Sequence, residues 1–222
     1  MNPLPILRDA WYFFIYNLGA IARLCLPLIV LEGLVQQWVA AWATPATALI
    51  YELLVGVLFY SLYTAALIVF LDARSHGQHP RSRDVMARAL WLWPTFALVV
   101  SLSTVAIMLG ASLLILPGLW MMTKLAFAEY LLVLRGMTPI KALHESLERT
   151  SGYFWPILGC LLCVLLPLWV LEWSTQPAAG AAPDGLFRLL VDSLSGFVHL
   201  FATVVVFRLF MLVEARPAAP AE

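Results

Sequence analysis

PTFALVVSLSTVAIMLGASLLILPGLW, residues 94–120, is the stretch that decides the fold. From Pro94 to Leu116 it holds no Asp, Glu, Lys or Arg. A helix rises about 1.5 Å per residue and the hydrocarbon layer is about 30 Å thick, so roughly 20 apolar residues make one crossing. Pro117-Gly118 then supplies a tight-turn dipeptide, which predicts that the chain doubles back as a hairpin.

Working outward, five further stretches have the same character: Gly19–Trp42, Ala46–Leu71, Leu119–Leu134, Tyr153–Trp173 and Leu186–Val213. Six crossings are expected. Leu119–Leu134 is the odd one, short and carrying Lys124 and Glu129, and it reads either as the hairpin's return leg or as a re-entrant segment. The composition agrees. Of the 222 residues 63% are hydrophobic and 12% charged, and the mean hydropathy is +0.90. A soluble domain of this length could not bury so much apolar surface. Lipid must cover it.

With 13 Lys+Arg against 13 Asp+Glu the net charge is zero, so no global field draws the chain to nucleic acid. The basic residues nevertheless alternate. Arg8, the group Arg74, Arg81, Arg83 and Arg88, the group Arg135, Lys141 and Arg149, and Arg216 all fall on one side of the six-crossing map. The opposite connections, Ala43–Pro45, Pro117-Gly118 and Ser174–Gly185, contain no Lys or Arg. Basic loops are retained in the cytoplasm, so both termini are expected there. Trp38, Trp42, Trp120, Trp169 and Trp173 map to the outer edge, and Trp11, Trp91, Trp93 and Trp155 to the inner one, where indoles settle. The first span is too long for a signal peptide and ends in tryptophans, so it is expected to stay as an anchor.

Each pair of crossings follows a short amphipathic segment expected to lie flat at the interface. In Leu7–Asn17, Leu7, Trp11 and Phe14 share a side. In Arg83–Trp91 the apolar group is Val85, Met86, Ala89 and Leu90. In the third, Thr138 can cap, Pro139 suits the first position, and Ile140, Leu143 and Leu147 make the apolar face. Glu145 and Arg149 there have the favourable i,i+4 order. The expected architecture is an all-α polytopic bundle of three parallel helix-plus-hairpin repeats (5–73, 80–136 and 137–215) in one membrane domain, 1–215, with a disordered tail, 216–222.

Leu116-Pro117-Gly118-Leu119-Trp120, Phe127-Ala128 and the run from Ala142 to Gly152, with its Ala142-x-x-x-Ser146 spacing, together resemble the YciC-like bacterial inner-membrane proteins. That group looks related to the membrane region fused to some glycerophosphodiester phosphodiesterases. The motifs cover about the central quarter of the chain and the hydropathy pattern nearly all of it. Leu147 departs from the pattern, because family members often carry an aromatic residue after the serine. The resemblance implies a polytopic inner-membrane protein and brings no catalytic residue with it.

Ionisable groups inside a bilayer cost about 2.5–3.5 kcal/mol each, so each needs a reason. Arg188, Asp192, Ser195 and His199 stand at i, i+4, i+7 and i+11, a single stripe on the last crossing. Glu32 with Gln36, Glu52, Lys124 and Glu129 can face it from other crossings. Lys124 and Glu129 are about 140° apart around one helix, so Lys124 is expected to pair across helices with Glu52 or Asp192. Two readings stay open. One is a polar pathway, in which His199 or Glu32 takes up protons or a lipid headgroup docks on Lys124 and Arg188. The other is a set of ion pairs and hydrogen bonds that fix packing, worth about 1 kcal/mol each.

Other clusters point to ordinary roles. Cys160-x-x-Cys163 sits within a crossing without a second ligand pair, so buried apolar thiols are expected. His76 and His79 belong to a solvated loop near headgroups. His144 and Ser146 lack any oxyanion-hole signature, and no Gly-rich phosphate loop supports an ATP-driven pump on this chain alone. No metal or cofactor is expected. The functional expectation is a non-enzymatic structural or regulatory component in envelope or lipid homeostasis, acting through membrane lipids, a membrane-protein partner or a second copy. The alternative is a channel, transporter or lipid-translocating protein that uses the intramembrane polar residues.

Overall fold

A computed structural model describes residues 3–175 and 185–215. Among the described residues there is no strand; the chain folds into helices α1 (Pro3–Tyr16), α2 (Leu18–Ala40), α3 (Pro45–Ser75), α4 (Ser82–Leu113), α5 (Ile115–Leu125), α6 (Ala128–Arg135), α7 (Pro139–Arg149), α8 (Phe154–Thr175) and α9 (Gly185–Glu214). Four stretches are long and apolar enough to cross a membrane: Leu18–Ala40, Thr47–Ser75, Ser82–Leu113 and Gly185–Glu214. Pro139–Arg149 with Phe154–Val170 adds a fifth if the two, bent by 105°, are taken as one span. α3, α4 and α9 have 31, 32 and 30 residues. At about 45–48 Å each they exceed the hydrocarbon thickness, so they tilt or project beyond it.

The two ends of the bundle differ. Along α3 the apolar residues Leu49, Ile50, Leu53, Leu54 and Leu58 are exposed, whereas Ser61 and every residue from Tyr63 to Ile68 are buried. The core continues through Phe127, through Ala128 and Tyr130–Leu132 of α6, and through Val204–Phe207, Leu209 and Phe210 of α9, and one hydrophobic cluster runs from α1 to α9. Protein therefore packs against protein at the end that carries the charged connections. At the other end apolar side chains point outward, which suits lipid and not water.

Glycines set the close approaches. A Cβ on Gly118 would lie 2.8 Å from the Ala111 Cβ and 2.9 Å from its Cα, and one on Gly110 would meet the Pro117 carbonyl at 3.0 Å. α4 and α5 therefore touch nearly backbone to backbone. The reversal itself falls at Leu114, in extended conformation (φ −165°, ψ 155°), between α4 and α5. This corrects the expected Pro117-Gly118 turn: that dipeptide sits in the first turn of α5, where proline is tolerated and the glycine serves contact. On the other side of the bundle Gly33 of α2 faces Leu189 of α9, and Gly196 of α9 faces Ile29 of α2.

Several local expectations change. Residues 83–91 are not a separate helix, because α4 continues through Pro94. The stretch 119–134 is divided between α5 and α6, with the break at Ala126-Phe127. Gly136, at φ +61°, closes α6 in the left-handed conformation that glycine adopts freely, and α7 folds back along α6. α7 starts at Pro139 as expected, yet the Thr138 hydroxyl makes no cap bond. Its buried face is Ala142, Ser146 and Thr150, while Ile140 is exposed and Leu143 and Leu147 are half-buried. Small residues win that face because α6 lies against it. In α1 the buried stripe is Ile6, Ala10, Phe14 and the adjoining Asn17, with Trp11 exposed at the edge against Phe201.

Candidate functional site

The break between α5 and α6 would strand the Lys124 carbonyl and the Phe127 N–H, since neither helix continues. α7 meets both. The Ser146 hydroxyl donates to the Lys124 carbonyl at 2.7 Å and accepts the Phe127 N–H at 3.2 Å. The Thr150 hydroxyl donates to the Ser146 carbonyl of its own helix at 2.7 Å and has the Lys124 carbonyl as a more distant alternative acceptor at 3.2 Å. The Lys124 ammonium itself donates to the Ser151 hydroxyl at 2.7 Å and to the Leu147 carbonyl at 3.4 Å, and lies 5.7 Å from the Trp120 ring centroid. The expected pairing with Glu52 is corrected: Glu52 is exposed on α3, and Lys124 is occupied by the end of α7.

Glu129 goes elsewhere. Two residues past the break, it leaves α6 toward a cavity of about 240 Å³ lined also by Tyr60 and Tyr63 of α3, Ser103 of α4, Tyr130 of α6, and His199 and Thr203 of α9. The remaining walls are apolar, among them Ile107, Met122, Leu161 and Leu165. The Tyr60 hydroxyl donates to the Glu129 Oε1 at 3.4 Å, and the Tyr130 hydroxyl donates to the Thr203 carbonyl at 2.8 Å. The Ser103 Oγ is buried without a hydrogen-bond partner among the described residues. Tyr60 is near the midpoint of α3 and His199 near that of α9, about 21–23 Å from either helix end. The cavity thus opens where the packed half of the bundle gives way to the lipid-exposed half.

Of the residues that the sequence singles out, Glu129 and His199 meet at this cavity. The others do not. Asp192 is exposed on α9, because the inward face of that helix near its start is Leu189, Ser193 and Gly196, turned toward α2. Glu32 is half-buried on α2, accepts from Gln36 at 3.2 Å and lies beside Gly56 of α3. The Arg188 side chain lies outside the described residues. Of the bland expectations, Cys25 and Cys160 are buried thiols, whereas Cys163 is exposed, facing outward from α8. Among the described residues no group of three His, Cys, Asp or Glu could hold a metal. Glu145 and Arg149 pair at 2.7 Å as the spacing predicts, and Arg149 also reaches Glu214 at 3.6 Å.

Sequence reasoning passed over Tyr60, Tyr130 and Arg208. A tyrosine inside an apolar run reads as one more aromatic, and only its hydroxyl's partner on another helix reveals its use. The Arg208 guanidinium lies 5.1 Å from the Phe13 ring centroid, with its Nε buried. No protein-family model matches the chain, and no solved structure matches it.

Proposed function

We propose that this chain is a multi-pass membrane protein that passes protons across the bundle, with Glu129 and His199 as the groups that take them up. The single supporting observation is the cavity that collects a carboxylate, an imidazole and three phenols midway along the helices. At about 240 Å³ it has room for several waters and is smaller than the pockets that hold drug-sized molecules. A hydrated carboxylate and imidazole within a bundle form the usual hardware of a proton relay. The activity is transport and involves no covalent chemistry. In this reading α2, α3, α4, α8 and α9 cross, the broken pair α5–α6 completes six, and both termini face the cytoplasm of a bacterial inner membrane. The YciC-like group remains the family that we propose.

A second reading keeps the chain as a structural or regulatory component of envelope or lipid homeostasis. Lys124 favours it, since its hydrogen bonds hold α7 against the helix break and leave it no role in a pathway.

Proteoliposomes loaded with a pH-sensitive dye separate the two. An imposed pH gradient should dissipate faster with the protein than in empty vesicles, and E129Q and H199Q should each slow it by at least about tenfold, with unfolding temperatures in detergent near wild type. Dissipation equal to that of empty vesicles refutes the relay. Loss of stability without loss of flux assigns Glu129 and His199 to packing.

A further inference from the structure

Two guanidiniums lie against residues one helical turn apart, Phe13 and Asn17, at the charged end of the bundle. The Arg74 Nε, on the last turn of α3, donates to the Asn17 Oδ1 at 2.8 Å, and Asn17 in turn donates to the Phe13 carbonyl at 2.9 Å. Arg208 of α9 covers the Phe13 ring. Phe13 and Asn17 are i and i+4, so both arginines reach the same face of the α1–α2 corner.

Among the described residues no carboxylate pairs with either arginine, and the nearest acidic group in sequence, Asp72, faces His76 at 3.5 Å. Arg74 also contacts His79, a neutral or cationic neighbour, and stacks over Phe70 at 5.8 Å. Asp9 on α1 is exposed. The buried Arg208 Nε has no acceptor among the described residues. A cation with a buried donor that lacks an acceptor, here Arg208, is costly unless an anion joins it, and Arg74 one turn away adds a second cation to receive that anion. The Arg135, Arg149 and Glu214 group at the same end shows the contrast: there the chain supplies the carboxylate itself.

We infer that Arg74 and Arg208 hold a phosphate group, presented by an anionic phospholipid headgroup or free in solution. Guanidiniums match phosphate oxygens through paired N–H donors, and the site lies where the membrane-crossing helices α2, α3 and α9 reach their charged ends. The inference needs membrane residence but not the cavity, so failure of the proton relay leaves it standing.

The test follows thermal unfolding of the full chain, purified in detergent and stripped of lipid, during titration with phosphatidylglycerol, phosphatidylcholine or inorganic phosphate. Phosphatidylglycerol should raise the unfolding temperature by a few degrees, and phosphatidylcholine should not. A rise with inorganic phosphate alone identifies the free anion as the source. R74Q/R208Q should lose the response in either case, and R74K/R208K, with charge kept and the fork removed, should weaken it about tenfold. If the double variant does not fold, R208Q alone decides. R88Q, on the exposed face of α4, should respond as wild type. A response that survives R74Q/R208Q, falls equally in R88Q or is matched by phosphatidylcholine overturns the site.

Discussion

Ser146→Ala should be among the most damaging conservative changes in this chain. Ser146 is fully buried and its hydroxyl serves both ends of the α5–α6 break. Its removal leaves the Phe127 N–H without a partner, at about 1–3 kcal/mol for a buried orphan donor. The Thr150 hydroxyl can swing its proton from the Ser146 carbonyl to the Lys124 carbonyl, so that half of the loss is cushioned. The expected cost of Ser146→Ala is about 2 kcal/mol, and of Thr150→Val, which spares the Phe127 contact, about 1 kcal/mol. The double variant strips the Lys124 carbonyl of both donors, so the two should cost about 1 kcal/mol more together than their sum. Reversible unfolding in mixed detergent micelles, run as a double-mutant cycle, measures all three. A Ser146→Ala cost below about 0.6 kcal/mol, the average for interhelical bonds within bilayers, or strict additivity, would refute the idea that α7 holds the break.

Gly118→Ala should destabilise by about 1–3 kcal/mol, because its Cβ meets Ala111 backbone that cannot retreat; Gly159→Ala on α8, with nothing within 4 Å, should be neutral or stabilising in the same unfolding assay. Gly33→Ala should cost less than Gly118→Ala, since the atom in its way is the end of the Leu189 side chain. Glu214→Gln, which removes the partner of Arg135 and Arg149, should cost no more than about 1 kcal/mol, and the difference should shrink as salt is raised. In detergent a membrane-permeant maleimide should modify Cys163 before Cys25 and Cys160, which should stay unmodified until the chain unfolds, as intact mass would show.

The sequence by itself determined the helical class and most ends of the long helices, with the start of α4 at Ser82 instead of Pro94 as the exception. Gly19–Trp42 and Leu186–Val213, read from hydropathy alone, differ by a few residues from α2 and α9, because charge and length are properties of a local stretch. The same holds for Pro139 at the start of α7 and for the Glu145–Arg149 pair. Which face turns inward was decided only by tertiary packing. In a bilayer the lipid-facing and protein-facing sides of a helix are equally apolar, so periodicity gives no sign of orientation. That is why the stripe from Arg188 to His199 reads as one unit, although Asp192 is exposed and, among the described side chains of the stripe, His199 alone lines the cavity with Glu129. It is also why Lys124 could be paired on paper with Glu52. Its actual partners are a hydroxyl and a carbonyl of the returning α7, and no rule of spacing within one helix could find them.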